Sequence, residues 1–386
     1  ILYIGDPTSI HDIKWISAFS TRMGYTAYMA AQDIEVEKMT DLDRDRLSSN
    51  NITLIPGLRF YSLWRQWDNW HSASIIEKAI KEHNINIVHI LFITPYALNA
   101  NYTHLPTIIT SRGSDALLVL PSLLETKGLR GLHDRFLFKL FRKALLRASC
   151  ITCTSIEQQK SLRTLFGKKV STELIRTGVD VQTIAEVDQD NGPIRKVEGK
   201  KLILFPRYIQ PIYNTLFQIE ALKLIDPDKL EKLQLVFIIG RNPDHDYLKK
   251  VTSELAKLKA QYDLVEYLGQ QELWALYCTS DITVMTPISD GTPNSGLEAM
   301  AAKSQLIMGN LPYDRDLFNS GSCLLMNTDD PQELADLIMD AVEKPDHGLL
   351  ESAFRTVSEK GDRIQEMDRL DDVYRNCLSS NLSQNS

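Results

Sequence analysis

The chain has 386 residues, 43% hydrophobic and 24% charged, with a formal net charge of −7 at pH 7. That length exceeds one ordinary core and predicts two domains of roughly 190 residues each. The balance is that of a globular protein, the acidic charge argues against partners such as nucleic acid, and no apolar run approaches a membrane span.

The first segment, "ILYIG", reads as a strand and lacks the charged start and cleavage site of a signal peptide. Six more strand candidates follow: "TAYMAA", "NITLIPG", "INIVHIL", "LPTIITS", "SCITCTS" and "STELIRTG". Helix-period stretches lie between several of them, for example over 12–23 and 72–83. Near-continuous apolar strands alternating with helices predict an α/β domain with a parallel sheet covered on both faces. Cys150 and Cys153 have redox-motif spacing but sit in a strand, where side chains three apart face opposite sides, so a structural role is expected. Five cysteines, an odd number, suggest a reducing, cytoplasmic compartment. The stretch "HDRFLFKLFRKALLR", 133–147, aligns Arg135, Lys139, Arg142 or Lys143, and Arg147 along one stripe. It predicts a core helix with a basic outer face, or one that contacts an anionic membrane.

Residues 185–201 are polar, contain Gly and Pro, and have no apolar period, which predicts a linker. A second series then begins: "KLILFP", "LQLVFIIG", "DLVEYLG", "DITVMTP", "SQLIMGN" and "SCLLMN". Two such series give two doubly wound, Rossmann-like domains facing across a cleft, with ligands expected beyond the carboxyl ends of the strands. A last helix over 362–380 follows, and the final "SSNLSQNS" is expected to be disordered. No G-x-G pair, P-loop, H-E-x-x-H, G-x-S-x-G or zinc-spaced cluster occurs anywhere in the chain.

The most informative stretch is "SDGTPNSGLEAMAA", 289–302, a strand-to-helix turn at the ligand end of the second sheet. Gly291 and Gly296 permit close backbone approach, while Thr292, Pro293, Asn294 and Ser295 bring the chain to a helix N-terminus suited to a diphosphate. Glu298, expected in the first helical turn, could accept from the two hydroxyls of a ribose, and Asp290 could reach a second polyhydroxylated group. The competing reading is a capping box formed by Ser295 and Glu298. Arg207 ends the first strand of the second series, where its guanidinium could grip phosphate.

Together these residues resemble the retaining GT-B glycosyltransferases of family 4, whose signature has Glu-x7-Glu and an Arg/Lys pair after the first strand of the C-terminal domain. The similarity extends along nearly the whole chain, through "HDIKWISAFSTRMGY", "PTIITSRGSD", "LIRTGVD", "VEYLGQQELWALYCTSDITVMTP" and "MDRLDDVYRN". It implies an N-terminal acceptor domain (1–184, with the last helix packing back on it) and a C-terminal nucleotide-sugar domain (202–361). It also implies that Asp290 contacts the donor sugar, Glu298 holds the ribose, and Arg207 neutralises the diphosphate. The turn at Gly269 and Gln271 would face the base. No metal or other cofactor is implied.

Four positions depart from the family pattern. Asp290 replaces the first Glu and is one methylene shorter. The family Lys is absent, its place falling near Tyr213 and Asn214, and Arg241 is a candidate substitute. Thr8 and Ser9 replace a Gly-rich turn. Arg112 stands where many relatives carry a His near the donor sugar. His89, at the end of its strand, is either an acceptor contact or a satisfied core histidine. The expected activity is transfer of a hexosyl group from a UDP- or GDP-linked sugar to a glycan or lipid-linked acceptor, in cell-surface polysaccharide synthesis. An epimerase of the same fold and a catalytically silent nucleotide-sugar binder are the alternatives.

Overall fold

A computed structural model describes residues 1–384 apart from Lys168 and Gly291. It divides into two compact units, Ile1–Thr177 with Gln365–Ser386, and Gly178–Ile364. All thirteen expected strands form.

In the first unit the strands are β1 (Leu2–Ile4), β2 (Ala27–Gln32), β3 (Ile52–Leu58), β4 (Val88–Ile90), β5 (Thr107–Ser111), β6 (Cys150–Cys153) and β7 (Thr172–Leu174). They run parallel in the order β3-β2-β1-β4-β5-β6-β7, so the order reverses between β1 and β4. Buried apolar side chains fill both faces. One face packs against the helices Gln66–Glu82, Gly128–Arg147 and Ile156–Phe166 through Ile76, Phe138, Phe141 and Leu162. The other packs against Ile10–Ser17 and the last helix, Arg363–Gln384, through Ile13, Trp15, Met367, Leu370 and Tyr374. Cys150 and Cys153 fall in these two different cores, as period-two alternation requires, and both are free and buried. Burial pushes the Cys150 thiol up to about 12, which suits packing and not redox work.

In the second unit β8 (Lys201–Tyr208), β9 (Leu233–Ile238), β10 (Gln261–Val265), β11 (Ile282–Met285), β12 (Gln305–Gly309) and β13 (Leu324–Met326) form a parallel sheet in the order β10-β9-β8-β11-β12-β13. Its order reverses at β8, flanked by β9 and β11. Strand β8 breaks register at its end: Phe205 faces Phe237, but the next partner of β9, Ile238, faces Tyr208. Pro206, which has no N–H to give the ladder, sits inside that bulge beside Arg207.

Four boundaries differ from the sequence expectation. The change of unit falls between Thr177 and Gly178, not in 185–201. Val179 is already bonded into the second unit, its N–H donating to Gly361 O at 2.9 Å, and Val187 and Ile194 pack on that unit's core. The helix expected from 72 starts at Gln66, and the one expected over 12–23 is Ile10–Ser17 followed by a wide turn, Ala18–Arg22. The tail expected to be disordered continues the last helix to Gln384, since no Gly or Pro interrupts it after Gly361.

Candidate functional site

In the second unit the candidate residues gather at the sheet's switch point, where β8 and β11 diverge. Arg207 makes three contacts there. Its Nη2 lies 3.1 Å from Asp290 Oδ2, its Nη1 donates to Ser295 Oγ at 3.3 Å, and its guanidinium carbon stands 4.2 Å from the Tyr213 ring centre. The segment bearing Tyr213 is pinned beside the Asp290 loop by Ile288 N–H donating to Ile212 O at 2.9 Å. Asn214 adopts the left-handed conformation, φ 58°, and starts the helix Thr215–Leu224, a position asparagine tolerates well. An aromatic ring thus packs on Arg207 near the position where the resemblance would expect the family Lys. The cation Arg241 stacks on Tyr267 at 3.7 Å, beyond β9. Burial raises the neighbouring Tyr208 hydroxyl, Tyr267 adds to the rise, and Arg241 and Arg207 both oppose it, so this phenol lies within the field of both guanidinium groups.

The helix after β11 runs from Asn294 to Ala301 with Pro293 as its cap residue and no side-chain cap. The capping box between Ser295 and Glu298 therefore does not form. Glu298 lies in the second turn, not the first, and points at another helix. Its Oε1 accepts from Gln270 Nε2 at 3.0 Å and from Trp274 Nε1 at 3.1 Å, and it is 7% exposed. Gln270 and Trp274 are one helical turn apart on Gln270–Thr279, whose start is tied by Glu272 Oε2 accepting from Gly269 N–H at 2.8 Å. Gln270, not the exposed Gln271, reaches the carboxylate. The Thr292 hydroxyl oxygen is buried with no hydrogen-bond partner among the described residues. Gly296 serves packing more than ligand approach: a Cβ there would lie 2.7 Å from the Phe318 ring. Gly291 lies outside the described residues.

Sequence reasoning missed two tyrosines behind this cluster. Burial raises Tyr277 well above the usual phenol range and the Glu298 charge adds to the rise, while Ser295 and Arg207 oppose it. Burial also raises Tyr313, again with an anion, Asp290, adding to it. Both are core residues by apolar pattern, which is why nothing marked them.

In the first unit Arg112 follows β5 and reaches back to the first helix. Its Nη2 lies 3.0 Å from Asp12 Oδ1, with both side chains largely buried. Asp12 Oδ2 also accepts from Asp6 N–H at 2.9 Å, and a Cβ on Gly5 would lie 2.4 Å from it, so a larger residue there would displace this carboxylate. Burial raises the Asp12 carboxyl, and Arg112 is the main opposing influence. Thr8 and Ser9 are spent on this turn: the Thr8 hydroxyl donates to Asp6 Oδ1 at 2.7 Å, and Ser9 caps the helix and donates to Asp12 Oδ1 at 3.0 Å. Asp115, in the loop after Arg112, accepts from Ser111 Oγ and from the N–H groups of Gly113, Ala116 and Ile93, and so organises the loop. Near these carboxylates Glu35 accepts from the Tyr96 hydroxyl. Burial, with Asp6 and Asp12 adding to it, lifts Glu35 to about 7.

His89 is not an acceptor contact. It is fully buried, with Nδ1 2.5 Å from the Tyr374 hydroxyl and Nε2 2.7 Å from Thr110 Oγ1. Burial, with the Arg112 charge adding to it, lowers it to about 3, so it is neutral. Among the described residues no group of three His, Cys, Asp or Glu side chains is arranged to hold a metal, and no helix is long and apolar enough to cross a membrane.

Two family models match the chain in succession. The Glycosyltransferase Family 4 model matches residues 25–183, and the model of the glycosyl transferases group 1 matches residues 187–356. No curated protein matches. Among solved structures, Anabaena HepE in complex with UDP and glucose superposes with a TM-score of 0.73 at 15% identity, covering 97% of this chain and 99% of that one. A glycosyltransferase from Rickettsia africae gives 0.75 at 15% identity, covering 98% of each chain. The sucrose-phosphate synthase of Thermosynechococcus elongatus gives 0.73 at 13% identity, covering 98% and 99%. At these identities the likeness is one of fold.

Proposed function

The chain belongs to the GT-B glycosyltransferases, and we propose that it moves a hexosyl group from a nucleotide sugar to a glycan or lipid-linked acceptor, with retention of configuration and without a metal ion. The observation that carries this reading is the Arg207 cluster: one guanidinium held by Asp290 and Ser295 at the start of the helix Asn294–Ala301. Cleavage of a nucleotide sugar leaves negative charge on a phosphate oxygen. A fixed cation beside a helix N-terminus stabilises that charge without having to reorganise. Thr292 would give its hydroxyl to the same anion, and Arg241 supplies the second positive charge that the family places on Lys.

Glu298, oriented by Gln270 and Trp274, would hold the ribose. Asp290, partnered with Arg207, would meet the sugar. The Anabaena neighbour holds UDP-glucose in one of its structures, which makes UDP-glucose the first donor to try. A cytoplasmic site of action, in synthesis of a cell-surface glycan, fits a lipid-linked acceptor, and the basic stretch 133–147 would hold the enzyme at that membrane.

The test is a thermal-shift screen of UDP-, GDP- and ADP-sugars, since a ligand that binds the folded state raises its melting temperature. One nucleotide should stabilise the protein, and the stabilising sugar should be transferred to an acceptor. Absence of any shift overturns the reading. Release of free sugar without acceptor would instead indicate an epimerase, and binding without transfer a silent relative.

A further inference from the structure

Three of the chain's five tryptophans lie within seven residues, and all three are exposed: Trp64 by 87%, Trp67 by 76% and Trp70 by 61%. Phe60 beside them is exposed by 50%. The other two, Trp15 and Trp274, are buried. The exposure has a structural cause. The first turns of the helix Gln66–Glu82 are inside out, with the polar residues Asp68, Asn69 and Ser72 facing inward. Asp68 pairs with Arg59 at 2.8 Å and Arg65 at 2.7 Å, Asn69 exchanges hydrogen bonds with the Ser62 backbone, and Ser72 Oγ accepts from Arg59 N–H. These bonds fix the loop 59–65 against the helix, so that Trp67 and Trp70 project outward, packed edge to face at 5.1 Å. An aromatic cluster displayed on a braced segment marks a contact surface.

A second surface stands on the same face of the seven-stranded sheet. The helix Gly128–Arg147 and the tryptophan helix both pack against the short turn Tyr96–Tyr102, and both contribute to the same core. Each leads directly into the start of a parallel strand, β4 and β6, so their N-terminal halves lie toward the carboxyl edge of the sheet. The helix Gly128–Arg147 buries Phe138, Phe141 and Ala144. With Lys127 just before it, it turns seven cations outward: Lys127, Arg130, Arg135, Lys139, Arg142, Lys143 and Arg147. None of the seven forms an ion pair among the described residues, and the one carboxylate in this stretch, Asp134, is buried beside His133. Leu132, 65% exposed, and Phe136, 51% exposed, share the outer side.

We propose that these two helices form one membrane-docking surface, in which Trp64, Trp67, Trp70, Leu132 and Phe136 enter the interfacial layer of a bilayer while the cations of 127–147 meet anionic phospholipid headgroups. This rests on the reading of 133–147 as a membrane contact and extends it to the tryptophan helix. The chemistry selects the occupant. Tryptophan favours the headgroup zone, and a row of exposed Lys and Arg beside apolar side chains is the pattern of a helix lying on an anionic interface. A chain of net charge −7 would on average be repelled by such a surface, so this one basic face also sets which side approaches it. A platform for a soluble sugar fits less well: two of the tryptophans meet edge to face and offer no parallel stacking faces.

The experiment is flotation of the full chain with phosphatidylcholine vesicles, with and without phosphatidylglycerol. Wild type should float only with phosphatidylglycerol and should be released by salt. Trp67→Ser with Trp70→Ser should weaken binding about tenfold, and Lys139→Glu with Arg142→Glu and Lys143→Glu about a hundredfold. Quenching of wild-type tryptophan emission by bromine-labelled acyl chains reads insertion with no substitution at all. No flotation, no quenching, equal flotation of wild type and variants, or an emission shift with soluble oligosaccharides in place of vesicles overturns the proposal. UDP binding measured on the same samples reports the nucleotide site separately. If it persists while vesicles fail to bind, only the docking surface falls.

Discussion

Arg207 and Asp290 close the gap between two strand ends, Nη2 to Oδ2 at 3.1 Å, so the cation expected to meet phosphate is held at rest by the carboxylate expected to meet sugar. An incoming diphosphate must share or take over that guanidinium, which couples donor binding to the position of Asp290. Arg207→Ala should slow transfer about a hundredfold, the ~3 kcal/mol typical of one lost transition-state donor. Asp290→Asn should lower kcat as well while leaving Arg207 freer to bind nucleotide. Steady-state kinetics with the donor identified by thermal shift read both, and an Arg207→Ala enzyme of normal kcat would remove this residue from the mechanism.

Glu298 is a sharper case, because the structure removes its role as a cap. Since the helix Asn294–Ala301 starts at Pro293 without a side-chain cap, Glu298→Gln should not show the ~1 kcal/mol signature of a lost cap at that helix. It should weaken nucleoside diphosphate binding about tenfold, since a ribose hydroxyl loses a charged acceptor. Isothermal titration decides this. Unchanged affinity would leave Glu298 a structural role beside Gln270 and Trp274.

These two residues also show how far the sequence could be read. All thirteen strands were legible, because buried parallel strands are apolar runs between turn residues. The cluster of Arg207, Asp290 and Ser295 was legible for a related reason: Arg207 ends one such run, Asp290 follows another, and Ser295 opens the helix after it. What could not be read was direction. Glu298 and Ser295 have capping-box spacing, and only the helix start at Asn294 shows that the carboxylate serves the neighbouring helix. The tryptophan surface was missed because an inside-out first turn places Asp68 and Asn69 where apolar residues are expected. The Asp12 partner of Arg112 was missed because one hundred residues separate them.

That pair should behave as structure first. Removing Arg112 leaves the Asp12 carboxylate buried and uncompensated, so Arg112→Ala should cost about 3–5 kcal/mol of stability. Adding Asp12→Asn should recover part of the loss, since the charge left behind is then gone. Thermal unfolding of the two variants checks this. Loss of activity at unchanged melting temperature would instead return Arg112 to a direct part in transfer.

Two groups, the buried His89 and the half-buried Glu35, set opposite pH dependences in the first unit. His89, lowered to about 3, is neutral in the fold but protonates in the unfolded chain below about 6.5, so the unfolded state gains protons first and stability falls as pH drops through that range. Glu35, raised to about 7, holds its proton in the fold above the ordinary carboxylate range, so its contribution is full at low pH and is lost as pH rises toward 7. Glu35→Gln should therefore flatten the neutral side of the stability profile, and His89→Asn the acid side. Denaturant melts across pH 4 to 8 on each variant, about the span of the two titrations, separate the effects, and a Glu35→Gln profile parallel to wild type near neutrality would show that the carboxyl titrates normally.

The last prediction concerns how the leaving group is stabilised. Glycosyl transfer separates a sugar of oxocarbenium character from a nucleoside diphosphate, and the growing charge on that diphosphate needs a positive partner in place before the bond breaks. A divalent ion can serve, held by carboxylates placed after a strand. Here the carboxylate after β11, Asp290, is already engaged by Arg207, so binding an ion there would bring two like charges together around one acid. The fixed cation is the simpler device, and the helix beginning at Asn294 adds its dipole to it. Transfer should therefore proceed undiminished in excess chelator. The resemblance to the retaining enzymes of family 4, and not this charge arrangement, leads us to expect that the product keeps the anomeric configuration of the donor. NMR of the product reads the anomer directly. Activity lost to chelator and restored by magnesium would transfer the role of Arg207 to a metal, and an inverted product would require a different arrangement of acceptor and donor altogether.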